Sequence, residues 1–322
     1  MAEITSAYEA LGELSWDDLV DETDLLRDAV EERLKLSRVA DLLFEEETTS
    51  ELTVGYRTDM PSGDPDEVEK RAEFGNIPVF DPEKGREFLA KMDSRARGMR
   101  VSYEQTKTNG GKAVQREVRA MTNAIARSDT RAALLAVEKR IADSTLDDVD
   151  QIEVVEATAQ WADPATNPLD PVWSAADLIE GAEYEGISYG YFATTIWANP
   201  VDLSVMKRHP KVRDLYVGDM ASANPLFAGV ESQPLIAGQF QLVADATVPR
   251  GTAFVFQDAA SLGGAIGSKF TWDSGQPLVT GWYSENGESA RGGANMSYRS
   301  DYSEWNHMGI RAPKAIIKIT GI

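Results

Sequence analysis

Apolar and polar positions along the chain follow two kinds of pattern, and the longer one is helical. Within 112–143, Val114, Val118, Met121 and Ile125 recur at steps of four, three and four. Leu134, Leu135, Val137 and Ile141 carry apolar character through the later turns. That spacing puts them on one face of a helix. The stretch holds no proline or glycine, and such a helix would run about 45 Å. Ser128-Asp129-Thr130 is the one place where capping-type residues could divide it, and a single continuous or gently bent helix is expected. Its large apolar residues form a narrow stripe, so it reads as a strut that carries other elements. Near the N-terminus, Ser15-Trp16-Asp17-Asp18 has the hydroxyl cap and following acid of a helix start. Leu19, Leu26, Val30 and Leu34 follow at steps of seven, four and four. Two readings of this helix stand level: an arm docking on another subunit, or a terminal helix packed on its own domain.

The second pattern has period two. Residues 52–58 alternate, with Leu52, Val54 and Tyr56 on one face of a predicted strand. Residues 60–65 carry turn chemistry, 75–80 return to extended character, and 100–104 alternate again just before the long helix. The stretch 48–105 has too few apolar residues to bury by itself, which predicts a hairpin-like excursion resting on another surface. Beyond the helix, 147–163 is acidic and mixed, and Pro164, Pro168 and Pro171 punctuate a non-helical connector. Ser174 and Asp177 predict a capped helix to about Glu185, 192–197 a buried strand, and 200–207 a short helix. Residues 240–243, 252–256 and 314–319 read as strands, whereas 258–300, rich in Gly, Ser and aromatics, fit no element. The fold class is α+β, interleaved too irregularly for a doubly wound parallel sheet.

Composition narrows the chemistry. The chain has 322 residues, no cysteine, and only two histidines, His209 and His307. Disulfides, thiolate zinc sites and thiol nucleophiles are excluded. Its net charge of −21 argues against a nucleic-acid-binding surface made by the whole molecule. Residues 1–50 hold 15 acids against 4 bases, so about half of that charge sits in the first sixth of the chain. No run approaches the roughly 18 apolar residues of a membrane span. The N-terminus lacks the basic start and apolar block of a signal peptide, so folding in a cytoplasm is expected.

Motifs that suggest catalysis lack their context. Gly186-Ile-Ser188-Tyr-Gly190 has the literal form of a nucleophile elbow. An elbow needs a strand before it and a helix after it, and here the predicted order is reversed. A glycine-flanked turn is the expected reading, and His307 is the one histidine far enough past Ser188 to leave ample room for an acid between them. In 261–269 the order Gly-Ser-Lys replaces the Gly-Lys-Ser/Thr of a phosphate loop, so a surface loop is expected. His209, between Arg208 and Pro210, reads as a solvated loop residue.

The order of elements is more telling than any motif. Gly75-Asn76-Ile77-Pro78, then 100–104 and the long helix, are similar to the extended loop, return strand and spine helix of a viral family. These are the major capsid proteins of tailed bacteriophages and their archaeal-virus relatives, with the Hong-Kong-97-type fold. Trp161, Asp170-Pro171 and 174–185 sit where that family continues into its peripheral and axial domains. Residues 235–243, 248–255 and 311–317 resemble its closing strands. Asn76 departs from the acid that many relatives carry. The resemblance covers nearly everything after about residue 45 and rests on the co-linear series.

What the resemblance implies is a Hong-Kong-97-like α+β fold in five parts. They are an acidic N-terminal arm (1–47), an extended loop with return strands (48–105), a peripheral domain with the spine helix (106–198), an axial domain (199–303) and a closing strand (304–322). The implied function is a major capsid protein that self-assembles into the icosahedral shell around viral DNA. It would be no enzyme, would carry no cofactor or metal, and would enclose DNA without reading its sequence. Its partners would be copies of itself in hexamers and pentamers, a scaffold, a portal and decoration proteins, with no membrane involved. It would be assembled in the host cytoplasm and reside in the virion. Leu52, Val54 and Tyr56 of the excursion, with Leu19, Leu26 and Val30 of the arm, are the inter-subunit contact candidates. An encapsulin nanocompartment shell shares the fold and is one alternative, and an α/β-hydrolase-like enzyme using Ser188 is another. Some relatives join a loop lysine to an asparagine of a neighbour. Here Lys70, Lys84, Lys91, Asn295 and Asn306 align to no reacting pair, so shells are expected to dissolve to single chains under denaturation.

Overall fold

The computed structural model describes residues 6–35, 39–61, 85–214, 239–260, 264–273, 278–285 and 296–322. Its helices are α1 (Ala7–Leu11), α2 (Trp16–Asp21), α3 (Thr23–Lys35), α4 (Ala40–Leu43), α5 (Tyr103–Ala142), α6 (Asp170–Glu180), α7 (Pro200–Arg208) and α8 (Pro210–Asp214). The early strands are β1 (Phe44–Thr49), β2 (Thr53–Arg57), β3 (Glu87–Lys91), β4 (Asp93–Ser102) and β5 (Glu153–Glu156). Then come β6 (Glu183–Tyr184), β7 (Ile187–Ser188), β8 (Thr195–Ala198), β9 (Gln241–Ala244) and β10 (Thr252–Phe256). The last are β11 (Gly267–Trp272), β12 (Leu278–Val279), β13 (Tyr283–Ser284), β14 (Ser297–Ile310) and β15 (Ile316–Thr320).

Helix α5 starts nine residues before the apolar stripe predicts. Ser102 caps it, accepting from Gln105 N while the Gln105 side chain accepts from Ser102 N. This reciprocal pair satisfies two amides that would otherwise be orphaned. The glycines at 110 and 111 do interrupt the helical path, through a non-helical Asn109 (φ −154°, ψ 53°). A Cβ on Gly111 would lie 2.7 Å from the carbonyl oxygens of both Leu11 and Leu14, so glycine here lets the N-terminal backbone cross the helix. The expected weak point holds. Thr130 Oγ1 donates to Ala126 O at 3.0 Å and Asp129 pairs with Arg95, so both polar groups are absorbed without ending the helix.

Two sheets flank this strut. In the first, β14 is the shared strand: β4 pairs along one edge over ten residues, and β11, β12 and β13 pair in turn along the other. Strand β1 adds to β11 in parallel. The second sheet has the order β5-β15-β10-β8-β9, with the two outer pairings parallel and the inner ones antiparallel. Its strands and α6 bury Trp197, Phe254, Phe256, Ile316, Ile319 and Ile179 in the larger core. The strands do not sort at 198/199 or at 303/304, where domain boundaries are expected. Strand β8 joins β9 and β10 in the second sheet, and β14 runs unbroken through 303/304.

Several local expectations need correction. Helix α6 begins at Asp170 with Pro171 in its first turn, so Ser174 lies inside it and its hydroxyl back-bonds to Asp170 O at 3.0 Å. Strands β11 and β14 occupy part of the region that fits no element in the sequence. Their buried positions are polar as often as apolar, which hides the usual signal. The largely exposed Glu45-Glu46-Glu47 run conceals β1 for a different reason, because after Phe44 it leaves no apolar alternation to read.

Candidate functional site

The surfaces open to a partner are those the fold leaves uncovered, and these depend on where the arm and the excursion rest. Strands β2 and β3 form the base of the excursion, Val54 opposite Ala90 and Tyr56 opposite Phe88. This ribbon lies on the chain's own first sheet. Val54 packs with Met92 and Phe270, and the Tyr56 ring stacks 5.6 Å from Phe88 and 5.8 Å from Phe270. A Cβ on Gly309 would lie 2.9 Å from the Tyr56 ring, so glycine there admits the aromatic onto the sheet. Val54 and Tyr56, expected to meet another subunit, are therefore covered within the chain, because Phe270, Trp272 and Trp305 supply an apolar surface for them. Leu52 is 40% exposed and Leu89 76%, and these two keep apolar surface facing outward. The turn at 62–65, the loop residues 75–78, Lys70, Lys84 and Asn295 lie outside the described residues.

The arm is likewise folded back. Leu19, Leu26 and Val30 are fully buried against Val114, Val118, Met121 and Ile125 of α5, together with Val279 and Trp282. Of the two readings that stood level, the packed terminal helix is the one observed, and these three side chains have no surface to offer another subunit. Trp16 sits 5.4 Å from Trp282 and 4.7 Å from Tyr298, and Ser15 caps α2 by accepting from Asp18 N. Tyr8 and Gln115 exchange hydrogen bonds across the arm–helix seam.

A cavity of about 250 Å³ opens where α5, the hairpin base and the end of β14 meet. Tyr56, Phe88, Lys139, Arg140 and His307 are among its walls. The Arg140 guanidinium lies 3.7 Å over the Phe88 ring and donates to Ile310 O at 2.7 Å, tying helix, hairpin and sheet together. Burial lowers the pKa of Arg140, with Tyr56 and Asp150 opposing that shift and Arg86 adding to it. Burial raises the Tyr56 phenol and lowers His307, the latter reinforced by Lys139 and Arg95 against Asp93. Between α5 and the same sheet lies a polar layer. Arg95 meets Asp129 at 3.2 Å, Lys269 meets Glu304 at 2.8 Å, and the Tyr302 hydroxyl donates to Glu304 at 2.6 Å. Its signal in the sequence is faint: a lysine in a strand that alternates with nothing.

The catalytic motifs do not assemble. Ser188 ends a two-residue hairpin, β6–β7, whose turn residues Glu185 and Gly186 both have positive φ, as a tight hairpin of this kind requires. Its hydroxyl oxygen accepts from Gly190 N at 3.2 Å, whereas His307 lies in β14 beside Tyr56. Gly267-Ser-Lys269 is buried strand, and 261–263 lie outside the described residues. His209 is buried, with Nε2 3.0 Å from Asp163 O, because α7 and the 163–166 turn close over it. Among the described residues no group of three acids or histidines is placed to hold a metal, and no helix is long and apolar enough to cross a membrane.

The sequence matches no protein-family model and no curated protein. The structure is similar to that of a virus-like particle from Pyrococcus furiosus, at 10% identity and a TM-score of 0.53, over 92% of this chain and 98% of that one. A phage-related protein from Bordetella bronchiseptica RB50 aligns at 16% identity and a TM-score of 0.56, over 91% and 96% of the two chains. The capsid of the cyanophage P-SCSP1u aligns at 10% identity and a TM-score of 0.54, over 87% and 86%. The fold is thus the Hong-Kong-97-type capsid fold, with α5 as its spine.

Proposed function

We propose that this chain is the major capsid protein of a tailed virus or a closely similar particle, and that it builds the closed shell around DNA. The observation that carries this reading is coverage. The likeness to the Pyrococcus particle spans 92% of this chain and 98% of the other, so little is left over for a separate active domain. The described surface fits: its extensions carry outward apolar residues, Leu52 and Leu89, beside a largely acidic exterior. In this reading copies form hexamers and pentamers, and a scaffold, a portal and decoration proteins are further partners. Excess negative charge keeps the wall from adhering to the packaged phosphate backbone. Assembly takes place in the host cytoplasm.

Negative-stain microscopy of the purified full chain, expressed with and without its scaffold, tests the reading. Closed shells or ring-shaped capsomers are expected; a strict monomer at every salt and protein concentration sinks it. The excursion gives a second test. Replacing 50–72 by a short Gly-Ser linker should leave a cooperative melt but no stable shells. It also removes Val54 and Tyr56, whose burial contributes about 1.5–3 kcal/mol each, so a lower Tm is expected too. A paired variant, Leu52→Ser with Leu89→Ser, spares the buried face and should weaken assembly at an unchanged Tm. Normal shells from both variants would remove the excursion from the assembly interface.

A further inference from the structure

One face of the first sheet holds a lysine, a glutamate and an asparagine together, away from water. Lys269 lies on β11, Glu304 and Asn306 on β14, and they are 2%, 1% and 0% exposed. The register sets Lys269 opposite Met308 and Thr271 opposite Asn306. Side chains alternate along a strand, so Met308, Asn306 and Glu304 line the face that Lys269 shares. Lys269 Nζ reaches Glu304 Oε1 at 2.8 Å, four residues along β14 from its own partner, so the lysine stem must run past Asn306. The Tyr302 hydroxyl holds the other Glu304 oxygen at 2.6 Å. Neither amide atom of Asn306 has a hydrogen-bond partner among the described residues. A fully buried carboxamide without partners is a costly arrangement that proteins rarely keep. Here it shares one face of the sheet with an amine and a carboxylate that are paired to each other.

We propose that these residues form an isopeptide bond within the chain, joining Lys269 Nζ to Asn306 Cγ, with Glu304 relaying the protons. In the first step the Lys269 ammonium passes a proton to the Glu304 carboxylate, 2.8 Å away, and becomes an amine. The amine's lone pair attacks Asn306 Cγ, and the new C–N bond gives a tetrahedral intermediate. Glu304 hands its proton to the departing amide nitrogen and accepts one from the attacking nitrogen. The Cγ–Nδ2 bond breaks and ammonia leaves, carrying off the proton left on Glu304 as ammonium. Atoms and charge balance without any oxidant or co-reactant. The bond ties β11 to β14 inside one subunit. It is not a link between subunits, because Asn306 is buried in its own chain, out of reach of a neighbour's loop lysine.

Intact-mass spectrometry of the folded, purified full chain, denatured just before injection, decides the matter. The chain should be lighter than its sequence by about 17 Da, the mass of one ammonia lost in the acyl transfer. A tryptic digest should show a branched peptide joining the segments that contain 269 and 306, with no cleavage after Lys269. Asn306-His307 could also lose ammonia by cyclising to a succinimide, so Lys269→Met separates the two chemistries. K269M and N306A should both keep full mass, and E304Q should keep it or react far more slowly. Full mass in the wild-type chain overturns the proposal however the variants fold. So does a mass deficit that survives in K269M.

Discussion

The two sheets bury their interiors in opposite ways. In the second, β8, β10 and β15 present Ile196, Trp197, Phe254, Val255, Phe256, Ile316 and Ile319, all fully buried and apolar. An apolar exchange that conserves volume at any one of these positions costs little, and it is their volume that fixes the packing. Between the first sheet and α5, Lys269 and Glu304 of the sheet and Asp129 of the helix are buried, the last paired with a partly exposed Arg95. Each of these needs one particular partner, because a charge left alone in a dry interior is far costlier than a misplaced methyl group. An apolar layer supplies stability and tolerates variation. A polar layer supplies register, holding β14 at one offset against β11 and β4, since a one-residue slip would turn every one of these groups to the wrong face. Helix α5 joins the two, since Asp129 meets the polar layer while Ala133 and Val137 enter the larger apolar core.

The comparison breaks most visibly if the apolar sheet can be emptied cheaply. Trp197→Ala should cost about 3–5 kcal/mol, the range for large aromatic truncation in a tight core. Trp197→Phe should cost much less, because the indole N–H has no partner among the described residues and its loss relieves a buried donor. Chemical denaturation of the three proteins checks this, and equal losses for the alanine and phenylalanine variants would count against a volume-determined core.

The same contrast explains what could be read in the sequence. Thr252–Phe256 is legible to the residue, because a short continuous apolar run is how a strand buried on both faces looks. The stripe 114–125 on α5 is legible for the matching reason at helical period. Strand β14, the longest, was not, since Glu304, Asn306 and Ser300 occupy buried positions where an apolar residue is expected. The arm residues Leu19, Leu26 and Val30 were found as an apolar stripe, but periodicity says only that a stripe is covered, not by which chain. The Lys269–Glu304 contact joins residues 35 positions apart, and no local pattern announces it.

A smaller effect is expected where the polar layer meets solvent. Asp129 is buried, but its partner Arg95 keeps about a quarter of its side chain exposed. Asp129→Ala should therefore cost about 1–3 kcal/mol, the loss of a charged hydrogen bond, and not the larger penalty of a fully enclosed pair. Replacing both partners, as Arg95→Met with Asp129→Leu, should recover most of that loss in a double-mutant cycle. If the double variant is as unstable as the single one, the layer contributes stability as well as register, and the contrast between the sheets weakens.

The smallest effect is one of pH, at the seam between the polar sheet and the hairpin base. Burial lowers the pKa of His307, and Lys139 and Arg95 push the same way while Asp93 opposes them. Its value in the folded chain therefore lies below the ordinary histidine value of about 6.5 that the unfolded chain retains. Above that value both states are neutral at this ring, and His307 makes no difference to stability. As pH falls below it, the unfolded chain takes up a proton that the folded chain refuses, so stability declines until the folded value is passed. Carboxylates held low in the folded state, such as Asp143 and Glu285, also favour unfolding in acid, but a difference between two variants cancels them. Measuring Tm for wild type and His307→Gln between about pH 8 and about pH 5.5 isolates the ring. The wild-type Tm should fall more steeply on acidification, with the curves separating only below about pH 6.5. Parallel curves throughout would mean that the hairpin base admits water to His307, and that this edge of the sheet is looser than its aromatic packing implies.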